Sequence, residues 1–197
     1  MIPDERAALE LHKKYRSNEH IVRHCETVAK VAKILVGRLE EKGVPINGKT
    51  VLAGALLHDI GRTKTQTVHH GHAGGRIVAS EGVDAEVVSI IQRHVGAGIS
   101  KEEADSLAFP TGDFVPRTLE EKVVCFSDKM VDADRVRPFG EEVNRFYRRN
   151  MSGQQVDIAM PAELAGTFAG RARRVIRNRH ALYKSDPAIR AVASSGQ

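Results

Sequence analysis

The sequence predicts a single all-α domain, on two observations. Apolar residues recur at intervals of three and four along almost the whole chain, which lays them on one face of a helix, and no alternating run of β-branched residues lasts long enough to make a strand. With 197 residues, 41% hydrophobic and 28% charged, the chain can bury a core of its own as a globular unit. No stretch approaches the roughly 18 uncharged apolar residues of a membrane span. The opening "MIPDERAALELHKKYRS" is charged within five residues, so no secretory signal is expected either, and the expected location is the cytoplasm.

Each element has its own signal. In "IVRHCETVAKVAKILVGRLEEKG", Ile21, Val28, Val31, Ala32, Leu35 and Leu39 form one face of a helix ending near Gly43. His24, four residues before Val28, lies on that inward face. A second helix runs from about Thr50 through His58 and halts at Gly61, a candidate C′ residue. A third covers about Gly75 to Ser80. The fourth, "DAEVVSIIQRHVGAG", carries Val87, Ile90, Ile91 and His94 in one register.

"ISKEEADSLAFPTGDFVPR" reads as a loop with one helical turn. A fifth helix follows in "RTLEEKVVCFSDKMVDADRV", where Thr118 can cap with Glu121 three residues on and Asp128 falls in register with Val124 and Val131. Past Pro138 and Pro161 the helical pattern continues through "EEVNRFYRRNM" and "AELAGTFAGRARRVIRNRHALY". The expected organisation is one domain over 1–185, with a core over about 18–135, basic C-terminal helices over about 138–185, and a flexible tail at 186–197.

Two cysteines, Cys25 and Cys125, sit inside periodic apolar segments and read as small buried side chains in a reducing compartment. The net charge of +5 suggests an anionic partner without separating nucleotide from nucleic acid or membrane headgroup.

The periodicity points five polar residues inward: His24, His58, Asp59, His94 and Asp128, with the cluster "TVHHGHAGG" between the second and third helices. One histidine on an apolar face is ordinarily a core residue with a satisfied hydrogen bond. Several imidazoles and two carboxylates together are costly to bury unless something pairs them, and a divalent metal pairs them all at once. His58 and Asp59 close an apolar run together, and at a helix end two consecutive side chains can converge on one point. A mixed imidazole and carboxylate set suits Mn, Fe, Co, Ni or Zn better than Ca or Mg. Neither a nucleophile with a base beside it nor a P-loop is evident, which disfavours a kinase or ATPase.

"HDIG" at 58–61, preceded by His24 in "VRHCETVAKVA" and followed by Asp128 in "CFSDKM", resembles the HD-domain superfamily of metal-dependent phosphohydrolases, an all-helical fold. The resemblance covers roughly residues 18–135. It implies His24, His58, Asp59 and Asp128 as metal ligands, with His58 and Asp59 at the catalytic centre. Some members hold a second ion through a histidine just after the HD helix, four residues before a small pair, and another at the end of a later helix. His70 and His94 match those places, with His69 and His72 as competitors of His70. There is no GYP-type extension, so a cyclic dinucleotide diesterase of that class is not expected. Arg62 stands where many relatives carry lysine. Arg62, Lys64 and Lys129 are candidate phosphate contacts, or ordinary cations of a helix terminus. His12, His20 and His180 match nothing in the pattern.

The resemblance thus implies a phosphohydrolase with two divalent transition-metal ions, acting on a phosphorylated small molecule, a nucleotide or dinucleotide foremost. The rival reading is an RNA-binding or RNA-end-processing protein. Arg171, Arg173, Arg174, Arg177 and Arg179, with Arg148 and Arg149 upstream, could follow a nucleic-acid backbone. The same helix carries Phe168, Val175, Ile176 and Leu182, so a solvated face over a packed one is the simpler account.

Overall fold

The structure, a computed structural model, describes residues 1–136 apart from Ala97. In chain order it has α1 (Glu5–Lys14), α2 (Glu19–Glu41), α3 (Gly48–Leu57), a 3₁₀ turn (Ile60–Thr63), α4 (His70–Ser80), α5 (Ala85–Arg93), α6 (Lys101–Ser106) and α7 (Leu119–Lys129). A two-residue antiparallel hairpin follows, β1 (Val131–Asp132) and β2 (Arg135–Val136), with Val131 opposite Val136.

The helix starts follow capping chemistry. Asp4, Asn18 and Asn47 accept from backbone amides of the first turns of α1, α2 and α3, while Ser100 with Glu103 and Thr118 with Glu121 form reciprocal capping boxes on α6 and α7. The predicted Thr118 cap is therefore present. α2 runs along α3 and α7, and α3 also touches α5. Leu35 and Leu39 of α2, Leu57 of α3, Ile90 and Ile91 of α5 and Phe126 of α7 are buried together in one core. Each such side chain contributes about 1.5–3 kcal/mol by leaving water. A smaller cluster of Val95, Ile99, Ala104, Phe109 and Phe114 gathers the segment between α5 and α7.

Several boundaries differ from the sequence reading. α1 went unread because it buries only Ala8 and His12, too few positions to show a period. α3 runs Gly48–Leu57 with His58 as its C-cap, close to the expected end, but Gly61 is not its C′ residue and lies inside the 3₁₀ turn without a positive φ. Its requirement is space: a Cβ there would overlap the carbonyl of His70 and the backbone of Gly74. α4 begins at His70, five residues earlier than expected. Its glycines, poor helix formers, are kept because Gly71 and Gly74 meet Val95 and Ile91 where side chains would not fit. α7 ends at Lys129, and the chain then turns through Ala133, at φ 56, into strands that the periodicity did not reveal. The predicted C-terminal helices, the tail, the arginines from Arg148 to Arg179 and His180 lie outside the described residues. Among the described residues no helix is long and apolar enough to cross a membrane.

Candidate metal centre

Five segments deliver the inward polar residues to one place. α2 supplies His24 from within the helix, the end of α3 supplies His58 and Asp59, the first residue of α4 is His70, His94 closes α5, and Asp128 stands near the end of α7. His58, Asp59, His70 and His94 are all buried.

Asp59 lies between two groups of histidines. Its Oδ2 is 4.0 Å from His24 Nε2 and 3.8 Å from His58 Nε2, while Oδ1 is 3.1 Å from His70 Nε2 and 3.5 Å from His94 Nε2. Asp128 Oδ1 closes the first group at 3.1 Å from His24 Nε2 and 3.6 Å from His58 Nε2. Donor atoms of His24, His58 and Asp59, of His58, His94 and Asp128, and of Asp59, His70 and His94 fall in three sets, each within 4.8 Å of one another. The six residues expected to ligate metal therefore meet.

The rings are held from behind. Nδ1 of His58, His70 and His94 donates to the carbonyls of Ala55, Thr67 and Ile91 at 2.8, 2.7 and 2.7 Å, and Nδ1 of His24 to Ala133 at 2.6 Å. Occupying Nδ1 in this way turns every Nε2 toward the carboxylates, the arrangement by which outer partners orient metal-binding imidazoles. No hydrogen bond of acceptable geometry reaches the buried His58 Nε2 or Asp59 Oδ1. Buried polar atoms without partners are costly, and a divalent cation would satisfy both. The residues present fit such ions.

Without metal, protons do the pairing. Burial alone would favour neutral Asp59, but His58, His70 and His94 outweigh it and hold the carboxyl well below the usual range. Asp128 behaves alike: burial is overcome by Lys129, His24 and His58. Burial opposes a charged His58, yet Cys25, Asp59 and Asp128 raise it well above an ordinary imidazole. His94 goes the other way, pushed down to about 4 by burial and by the neighbouring His58 and His70, against the pull of Asp59.

The candidate phosphate contacts sit at the rim. Arg62 Nε donates to Asp59 Oδ2 at 2.6 Å, Lys129 pairs with Asp128, and Lys64 is exposed just past the 3₁₀ turn. His69 stacks on Phe109, with ring centroids 4.7 Å apart, and His72 meets Phe109 and Phe114 edge-on. Of the three histidines in "HHGH", only His70 joins the centre. Sequence reasoning missed the outer layer. His12, buried, donates Nε2 to Leu56 at 2.8 Å, and it and His58 outweigh the burial of Cys25 to bring that thiol to about 7. The backbone carbonyls behind the rings left no signal in residue type at all.

A family profile described as the HD domain matches residues 21–131. The chain is 38% identical over 170 residues to a tRNA (cytidine(56)-2'-O)-methyltransferase of Picrophilus torridus, covering 86% of this chain and 48% of that protein. It is 35% identical to the protein of the same name from Thermoplasma volcanium, covering 86% and 49%. The chain thus spans about half the length of these two relatives. It is also 37% identical over 132 residues to an uncharacterised protein of Methanocaldococcus jannaschii, covering 67% of this chain and 78% of that one. Among solved structures, the HD domain of L. monocytogenes phosphodiesterase PgpH superposes with a TM-score of 0.48 at 16% identity, over 88% of this chain and 98% of that one. The matched segment runs from α2 to β1 and carries all six inward histidines and aspartates, and the chain belongs to the HD domain family, whose members are typically metal-dependent phosphohydrolases.

Proposed function

We propose that this protein is a phosphohydrolase that holds two divalent transition-metal ions, Mn, Fe, Co, Ni or Zn, one on each side of Asp59. The observation that carries this reading is the division of Asp59 itself: one carboxylate oxygen faces His24 and His58, the other His70 and His94. His24, His58, Asp59 and Asp128 would hold one ion, and Asp59, His70 and His94 the other. When bound, such ions activate water at neutral pH and screen the charge that grows on phosphoryl oxygens.

The chain's own residues prepare the rest. Asp59 and His58 form the catalytic centre, fixed by the end of α3 and by the Ala55 carbonyl. Arg62, anchored through Nε and with its side chain 31% exposed, stands where a phosphate could meet its fork. Lys129 and Lys64 add positive charge beside it. The substrate is a phosphorylated small molecule, a nucleotide or dinucleotide, met in the cytoplasm by a single domain over 1–185 with a tail at 186–197.

A second reading has its own support. Two relatives are named for methylation of a tRNA ribose, which favours a substrate with an RNA phosphate, such as an RNA end. The deciding experiment is a hydrolysis screen of metal-stripped protein refilled with each of the five metals. It should run over nucleotides, dinucleotides and short RNAs bearing terminal phosphates. Turnover of one class with one or more metals is expected, and no turnover with any combination sinks the proposal.

A further inference from the structure

His58, His70 and His94 share a device that His24 cannot use. Each stands at a helix end, His58 and His94 just past the last turns of α3 and α5 and His70 at the start of α4. Each ring takes the carbonyl three residues back: for His58 and His94 a carbonyl of the last turn of α3 or α5, which lacks an amide partner within the helix, and for His70 the carbonyl of Thr67 in the turn before α4. His24 lies well inside α2, which runs Glu19–Glu41, where neighbouring carbonyls already serve the helix. Its ring donates instead to Ala133, 109 residues away, in the turn between β1 and β2.

That turn is built for the contact. Ala133 adopts φ 56, a left-handed conformation that an L-residue other than glycine occupies at a cost. The turn also lies close to α2 on either side of His24: Thr27 Oγ1, which donates to the Arg23 carbonyl at 2.9 Å, is 3.4 Å from the Asp134 carbonyl, and Arg23 Nε lies 3.9 Å from Asp134 Oδ2. A two-residue hairpin buries little by itself: Val131 anchors its first strand in the core, and the turn beyond it meets α2 through these polar contacts.

We propose that the β1–β2 hairpin is a positioning element for His24, acting through the Ala133 carbonyl. It fixes the ring so that Nε2 faces Asp59 and Asp128, and it does for a mid-helix ligand what carbonyls three residues back do for the other three. The metal half of the test rests on the two-ion reading above; the ring contact does not.

Two variants separate this role from simple folding. Ala133→Gly keeps the left-handed turn without strain, whereas Ala133→Val places a β-branched side chain where φ is positive. In metal-free wild type and in the glycine variant, ¹⁵N NMR should show a His24 Nδ1 proton protected from exchange, and in the valine variant that protection should be lost. Zinc titrated by calorimetry should bind wild type in two steps. Ala133→Val should weaken one step by about 10- to 100-fold, the usual effect of losing an outer partner, and leave the other unchanged. Ala133→Gly should retain both.

A wild-type His24 proton that exchanges as freely as in an exposed imidazole overturns the proposal, as does a folded Ala133→Val protein that binds both ions with wild-type affinity. If the valine variant does not fold, the wild-type exchange measurement decides alone. If zinc does not bind wild type, the two-ion reading loses zinc as its metal while the His24 proton still decides the hairpin's role.

Discussion

His70 Nε2 and His94 Nε2 face each other across 3.1 Å while each ring donates from Nδ1 to a backbone carbonyl. Two neutral imidazoles so held present lone pair to lone pair, which is stable only if a proton or a cation lies between them and Asp59. A mononuclear centre needs neither histidine, since His24, His58, Asp59 and Asp128 complete it. Elemental analysis of protein loaded with Mn, Fe or Ni should therefore give about two ions per chain for wild type and about one for the His70→Ala, His94→Ala double variant. An unchanged count in that variant returns both residues to ordinary packing.

Removing either neighbour of His70 should have no such effect. His69 spends its ring on Phe109, and His72 faces Phe109 and Phe114. His69→Ala should cost about 0.5–1.5 kcal/mol of stability for the lost stack while metal content stays at the wild-type value. His72→Ala should also leave metal content unchanged. A His69→Ala or His72→Ala protein that loses an ion would show that the ligand from this segment was misassigned.

Gly61→Ala tests how closely the 3₁₀ turn and α4 must meet. The added Cβ would collide with backbone, the His70 carbonyl and Gly74, which no rotamer change can relieve. Overpacking of side chains typically costs about 1–3 kcal/mol, and here the loss should reach or exceed the upper figure. Because the colliding group is the backbone of a ligand, metal content should fall with stability. A variant with wild-type melting temperature and full metal content would mean that the two segments tolerate separation.

The ligand set was legible because burial and charge conflict openly: an apolar period that carries His24, His58, His94 and Asp128 on its inward side states a chemical problem that metal resolves. His70 was found only through the resemblance, since its helix is rich in glycine and shows no apolar stripe before Gly75. α1 and the hairpin escaped for opposite reasons. The first buries too few residues to show a period, and the second consists of strands of two residues whose role is a carbonyl. Helix ends were misread wherever tertiary packing, rather than capping, set them, as at Gly61.

Acidity gives the last prediction, and its sign follows from His58. In the metal-free protein, burial is outweighed by Cys25, Asp59 and Asp128, so the folded imidazole holds its proton well above the unfolded value of about 6.5. That contribution to stability is fully present below pH 6.5 or so and is lost as pH rises through the folded value. A metal ion needs the same nitrogen without its proton, so the loaded protein gains where the stripped one loses. His94 contributes nothing to this trend: burial and the neighbouring His58 and His70 already bring it down to about 4, leaving it neutral and ready to bind. The rise in melting temperature on adding Zn or Mn should therefore grow as pH rises above about 6.5. Calorimetry in buffers of different ionisation enthalpy should show protons released on binding, fewer from a His58→Ala variant than from wild type. A metal increment that stays flat over that range, with no proton release, would mean that His58 is not displaced from its proton by metal and stands outside the ligand set.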